Sequence, residues 1–248
     1  MKARLFAAMA LLCVCAGFSQ PVPLRTRYQD TASKVIKNHD GSFAGICVDL
    51  IDLLEARTAF RFERPESFTP LRRIVDALRT NETDVYFALL RNSERERACV
   101  FVEPLYSVRY VIVSRADEED IASTERLREV AGDNPVLTLA GSTILDFLES
   151  RGIACDDGAG TVTQNFDKLL ANRGRFMVYQ DMAVDHEIRK GRYEGRLRVH
   201  PVAFAEEPLW LVCSRRLDPS VADGLRASIK RLKATGEWDA VVGRYRVR

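Results

Sequence analysis

Apolar positions in this chain alternate between short unbroken runs and a helical period. Runs bounded by polar or turn residues predict buried strands at Leu24–Tyr28, Phe60–Phe62, Val85–Leu90, Val108–Ser114, Val136–Ala140, Phe176–Tyr179 and Leu209–Cys213. Between them, apolar residues three and four apart predict helices over Val48–Arg57, Pro70–Arg79, Ser123–Val130, Ile144–Arg151, Phe166–Ala171 and Met182–Arg189. In the second of these, Thr69 is the expected N-cap and Leu71, Ile74, Val75 and Leu78 form the stripe. The last helix is the cleanest. Asp218 caps it, Pro219 fits its first turn, Val221, Leu225, Ile229 and Leu232 share a face, and Gly236 stops it. Strand alternating with helix implies an α/β architecture with mostly parallel sheets.

The segment Asp84 to Tyr106 adds chemistry to this pattern. The run Val85–Leu90 ends abruptly in a polar, arginine-bearing stretch from Arg91 to Arg97, and Val100–Phe101 then leads to Glu103-Pro104-Leu105-Tyr106. Ligands of open α/β sheets bind beyond the carboxyl ends of the strands. An arginine at such an end is placed to grip an anion; a solvated arginine in a surface turn is the alternative.

The first residues change the charge balance. Lys2 and Arg4 precede an apolar run from Leu5 to Ala16, followed by Gly17 and Ser19. This predicts a secretory signal over residues 1–19, too short to span a membrane. Val14 before Cys15 does not suit lipoprotein processing. Removing Lys2 and Arg4 from 37 basic residues leaves 35 against 35 acidic ones, so the exported chain is near neutral. Nothing in the chain resembles the basic stripe expected of a nucleic-acid binder. Cys47, Cys99, Cys155 and Cys213 remain after cleavage, with no C-x-x-C pair, and His39, His186 and His200 lack metal-ligand spacing. Neither a metal nor a cofactor is expected. A Cys47–Cys99 disulfide and buried free thiols are both open in an oxidising compartment.

Several segments carry a resemblance in their order and spacing. Asp40 to Leu50, DGSFAGICVDL, is similar to a D-G-x-x-x-G-x-x-x-D-L opening of a first helix. Asn81 to Val85 resembles a G-x-x-D-V turn, with Asn81 for the glycine, and Asn92-Ser93-Glu94-Arg95 resembles T-P-E-R. Phe101 to Tyr106 resembles F-S-x-P-Y-Y, Gly141-Ser142-Thr143 G-T-T, Gln180-Asp181 T-D, and Gly236-Glu237-Trp238 G-x-W. Together they resemble the extracellular solute-binding proteins of family 3, the polar amino-acid-binding proteins of ABC transporters.

The resemblance implies a two-lobed periplasmic-binding-protein type II fold. Lobe 1 would comprise residues 20–109 and 210–248 and lobe 2 residues 110–209, with crossovers near Ser107–Tyr110 and Pro208–Leu211. It further implies a periplasmic monomer that hands a small carboxylate-bearing ligand, an amino acid foremost, to ABC permease subunits without catalysis. Arg95 would clamp the carboxylate with its planar fork of donors. Ser142 and Thr143 would add hydroxyls at the start of the helix from Ile144, where ordinary N-capping is the plainer role. Asp181 would accept an ammonium group, or else cap the helix from Met182. Tyr28 and Phe68 would pack on the apolar part of the ligand, with core burial the alternative for Phe68. Leu90 stands where the family carries a polar residue, and the usual P-P-F after the first strand is absent. Arg91, Arg72 and Arg73 have no counterpart and default to solvent. Two other readings share the scaffold: a cyclohexadienyl dehydratase-like enzyme using Glu66, Glu103, Glu206 or Glu207 as acid, and a ligand-binding sensor with a separate partner.

Overall fold

A computed structural model describes residues 22–31 and 33–245; the expected leader, with Cys13 and Cys15, lies outside them. Strand β1 (Val22–Arg25) pairs in parallel with β4 (Phe60–Glu63). Between them lie the small antiparallel pair β2 (Ile36–Lys37) and β3 (Phe43–Ala44) and helix α1 (Ile46–Arg57). Helix α2 (Leu71–Thr80), strand β5 (Val85–Leu90), helix α3 (Ser93–Ala98) and strand β6 (Cys99–Arg115) follow. Next come α4 (Thr124–Ala131), β7 (Val136–Leu139), α5 (Ile144–Glu149), β8 (Cys155–Ala159), α6 (Val162–Leu170), β9 (Phe176–Gln180) and α7 (Asp181–Arg189). Strand β10 (Leu197–Ser214) leads to α8 (Pro219–Ala234) and α9 (Glu237–Gly243).

The principal sheet has the order β5-β10-β6-β9-β7-β8. Its spine is the antiparallel pair β6 and β10, 17 and 18 residues long, which runs from Ser214↔Cys99 to Leu197↔Arg115. Each end of that spine belongs to a different core. One end packs with α1, β5, α8 and α9 around Leu50, Leu54, Leu209, Leu225, Ile229 and the fully buried Trp238. The other end is buried on both faces: Tyr110 and Ile112 enter one core, Val111 and Val113 another. Alternate residues of a doubly covered strand part in this way. Register breaks between Val199 and Ala203, Ala203 and Glu206, Leu209 and Trp210, and Leu211 and Val212 interrupt the spine. Bulges of this kind bend and twist a ladder, which makes two linked lobes rather than one flat sheet.

A bulge in β5 matters more for function. Leu89 and Tyr86 oppose Trp210 and Val212, so Phe87 and Ala88 together face one β10 residue. Ala88 has φ 66°, and it and Phe87 both join the lobe 1 core. A non-glycine residue in the left-handed region is held there by its surroundings.

The structure departs from the sequence reading at several points. Sheets are less parallel than expected: β10 runs antiparallel to β5 and β6, and β6 to β9, with parallel pairing of β7 to β8 and to β9. Tyr28 lies past β1, in an isolated bridge to Phe68. Pro70 rather than Thr69 occupies the N-cap of α2, without a side-chain hydrogen bond; the Thr69 N–H instead donates to the Tyr28 carbonyl at 2.7 Å. No Cys47–Cys99 bridge exists. All four thiols are free: Cys47 points into the core of α1, Cys99 into a separate cluster with Ile74 and Val212 on the other sheet face. Arg91 is not merely solvated; it pairs with Glu96 and stands over the Phe101 and Trp210 rings.

His200 is a buried polar group whose protonation the fold opposes. Its Nδ1 accepts the Ile121 N–H at 3.1 Å, which requires a lone pair there, and Nε2 meets Ser114 Oγ at 2.9 Å. Burial holds its pKa below the ordinary histidine value; the nearby Asp120 opposes this and Arg198 reinforces it. A depressed folded-state pKa contributes stability that is complete above about pH 6.5 and is lost as pH falls through the lower folded value. Urea unfolding between pH 7.5 and 5.5 should show that loss, and a His200→Gln variant should flatten it. Equal slopes in the two proteins would remove His200 from the account.

Candidate ligand-binding cleft

A cleft of about 700 Å³ opens between the lobes. Lobe 1 contributes Gln29, Thr31 and Lys34, the exposed side of α2, the end of β5, and Glu94 and Arg95 of α3. Lobe 2 contributes Ala140 to Thr143 before α5, with Tyr179 and Gln180 at the end of β9. The cleft thus sits beyond strand ends, where such sheets take ligands.

Arg95 is positioned by its own helix start. Asn92 Oδ1 accepts the Arg95 N–H at 2.8 Å, capping α3. The side chain folds back so that Nη1 donates to the Leu90 carbonyl at 2.8 Å. Among the described residues it forms no ion pair, and burial lowers its pKa from the ordinary value against the attraction of Tyr86 and Glu94. A guanidinium does not deprotonate at neutral pH, so this burial is a cost until an anion arrives.

Lys34 is a second cation in the same wall. Its Nζ has the Ala88 carbonyl at 3.5 Å, the group that the β5 bulge turns out of the ladder. Burial, opposed by Cys47 and reinforced by Arg95, lowers its pKa to about 8. Its backbone is fixed from below: the Ile46 and Cys47 N–H groups donate to the Ser33 and Lys34 carbonyls at 3.0 and 3.1 Å. Gly45, with φ 119°, makes this possible, because a Cβ there would lie 2.6 Å from the Lys34 oxygen. Arg72 and Arg79 also line the cleft; Arg79 pairs with Asp76.

The lobe 2 wall offers hydroxyls. Ser142 Oγ is buried with no hydrogen-bond partner, as is Thr31 Oγ1 across the cleft. Buried polar groups are normally satisfied, so two orphans in one cavity suit a bound polar molecule. Thr143 occupies the N-cap position of α5 without a side-chain capping bond; its Oγ1 instead meets the Tyr110 hydroxyl at 2.6 Å. Glu207 of β10 lies near Thr143 and Arg95. Desolvation raises its pKa, Thr143 and Arg95 lowering it by less.

Of the residues singled out from sequence, Leu90, Arg95, Ser142 and Thr143 line one cavity. Tyr28 and Phe68 do not: both pack on Phe43, with ring centroids 5.0 and 5.4 Å away. Tyr28 is 2 % exposed and its hydroxyl accepts from Arg64, so it belongs to the core. Asp181 is also outside the lining. Its carboxylate accepts the Arg109 N–H and Nε–H at 3.1 and 3.0 Å and the Met182 N–H at 2.8 Å. Lys34, Thr31 and Gln29 were not singled out from sequence, and of the Gln180-Asp181 pair it is Gln180 that lines the cleft. Lys34 in particular reaches the cleft through the Gly45 contact and the Ala88 bulge, neither of which has a periodic signal.

Comparison with solved structures shows the same fold. The probable amino-acid ABC transporter extracellular-binding protein ytmK from Bacillus subtilis superposes with TM-score 0.78 at 13% identity, covering 91% of this chain and 98% of that one. An ancestral arginine-binding protein bound to glutamine gives 0.72 at 18% identity, over 90% and 97%. The ancestral amino acid-binding protein AncCDT-1, a precursor of cyclohexadienyl dehydratase, gives 0.72 at 19%, over 90% and 94%. No curated protein matches the sequence. The sequence profile of one family matches residues 27–247, and the chain belongs to that family, the bacterial extracellular solute-binding proteins, family 3.

Proposed function

We propose that this protein is exported to the periplasm, closes its lobes over a small carboxylate-bearing solute, an amino acid foremost, and delivers it to an ABC permease. The observation that carries the reading is the cleft's unmatched chemistry. Arg95 on lobe 1 has no acid partner among the described residues, and Ser142 on lobe 2 keeps an unbonded hydroxyl in the same cavity. A carboxylate satisfies both, and contact with both lobes is what biases a hinge toward closure. Lobe 1 as residues 20–109 and 210–248 and lobe 2 as 110–209 would place the hinge in β6 and β10, where the register breaks cluster. Similar structures described as amino-acid-binding proteins support the ligand class, and the leader-like residues 1–19 support export. For an amino acid, the ammonium acceptor would be Asp181 released from Arg109, or Glu207, which forms no ion pair among the described residues.

Thermal denaturation against a panel of amino acids and organic acids tests this, since a ligand of the native state raises the melting temperature. At least one carboxylate should raise it in a saturable way; a flat response across the panel contradicts the reading. Prephenate and arogenate belong in the panel, with product followed. Of the four glutamates that could act as acid, Glu66 and Glu206 are exposed and Glu103 is paired with Lys233 at 2.9 Å. Glu207 alone is near the cleft groups. Turnover of either compound would make the protein an enzyme rather than a carrier.

A further inference from the structure

The cleft holds more positive charge than one carboxylate needs. Lys34, Arg72, Arg79 and Arg95 line it against Asp76 and Glu94, and Asp76 is already paired with Arg79. Lys34 and Arg95 are the two that sit deep in the wall, each with its side-chain hydrogen bond to a backbone carbonyl, Ala88 and Leu90 respectively. These carbonyls come from the same bulged end of β5. Two like charges desolvated side by side repel; Glu94 and Glu207 offset part of that cost at Arg95, while Lys34 has no carboxylate partner among the described residues.

From this arrangement, and resting on the carboxylate-capture reading, we infer that the solute carries two carboxylates, one held by Arg95 and Ser142 and the second by Lys34. Four features converge on Lys34 as a ligand-binding residue. Its ammonium lines the cleft without an acid partner among the described residues. The unbonded, buried Thr31 hydroxyl, three residues earlier, lines the same wall and supplies a donor for the second carboxylate. Ala88 holds a left-handed conformation inside a strand, and its carbonyl is the one at Lys34 Nζ. Gly45 lets the start of α1 press against the Lys34 carbonyl, so the residue stands on a rigid platform rather than a mobile loop. A lysine placed only for solubility needs none of these. A neutral amide in place of the second carboxylate could still accept a hydrogen bond but would leave the ammonium's charge uncompensated, which is why the site discriminates.

Calorimetric titration with matched probes tests the inference: glutamate against glutamine, aspartate against asparagine, and succinate against succinamic acid. The wild-type protein should bind the better dicarboxylate about tenfold to a hundredfold more tightly than its monoamide. Lys34→Met should erase that ratio by weakening the dicarboxylate alone, leaving monoamide affinity the same or improved. Lys34→Gln, which keeps a polar head, should give the same loss, and circular dichroism of both variants should match the wild type. An unchanged ratio in folded Lys34 variants overturns the inference, as does a wild-type preference for monoamides. Either result leaves carboxylate capture by Arg95 standing, as does binding of another carboxylate but none of these probes; no binding of these probes or of any member of the melting panel overturns both.

Discussion

Replacing Arg95 with alanine should weaken binding of the best carboxylate ligand by about thirtyfold to several thousandfold, the range for removing one partner of a buried, hydrogen-bonded charge pair. The variant should fold normally. Its one lost hydrogen bond is to the Leu90 carbonyl, and the α3 cap is made by the Arg95 backbone, which alanine keeps. Removing a buried guanidinium with no acid partner should leave the ligand-free melting temperature unchanged or slightly higher. Arg95→Lys keeps the charge but not the fork, and should fall between the two. Titration calorimetry reads all three. Undiminished affinity in a folded Arg95→Ala protein removes the residue from the site.

Trp238→Ala should produce the largest loss of stability, about 3–5 kcal/mol. Trp238 is 0 % exposed at the centre of the lobe 1 core, where α9 meets α1 and α8. Its Nε1–H donates to the Leu105 carbonyl at 2.8 Å, on the β6 spine. Alanine opens a cavity and strands that carbonyl together. Against a typical total of about 5–15 kcal/mol, the loss is large enough to unfold a sizeable fraction of the chain at physiological temperature. Trp238→Phe keeps most of the volume and should cost about 1–3 kcal/mol for the unsatisfied carbonyl. Urea unfolding separates the two; a loss under about 1 kcal/mol for the alanine variant would show that the core repacks.

The elements written most plainly in the sequence are those whose signals are local. Asp218 accepts the Ser220 N–H at the start of α8, and of the expected face Leu225, Ile229 and Leu232 are buried, with Val221 half-buried and Ala222 buried beside it. Asn81 stands where a glycine was expected and adopts φ 66°, closing α2 as the glycine would. Strand β8 is hidden because CDDGA is polar and partly exposed beside β7 at the sheet edge. The two spine strands are longer than their apolar cores suggest, since Pro104, Pro201 and Pro208 interrupt the pattern while long-range pairing carries the strands through. Helix α9 follows so soon after Gly236 that the stop of one helix conceals the start of the next.

The site divides in the same way. Leu90, Arg95, Ser142 and Thr143 were legible because each lies at or shortly beyond the carboxyl end of a strand, a position that chain order alone identifies. Lys34 was not. Its place depends on a bulge in β5, 54 positions away, and on the missing Cβ of Gly45. Asp181 follows a strand too, yet the Arg109 guanidinium holds it aside. Position after a strand brings a residue to the right end of the sheet; neighbouring charges then decide where its side chain goes.

A crystal structure of the protein with the tightest-binding member of the carboxylate panel tests the central claim most directly. The account predicts closed lobes, with one carboxylate within hydrogen-bonding distance of both the Arg95 guanidinium and Ser142 Oγ. A ligand held on an outer surface, or by one lobe with Arg95 and Ser142 both untouched, would contradict it.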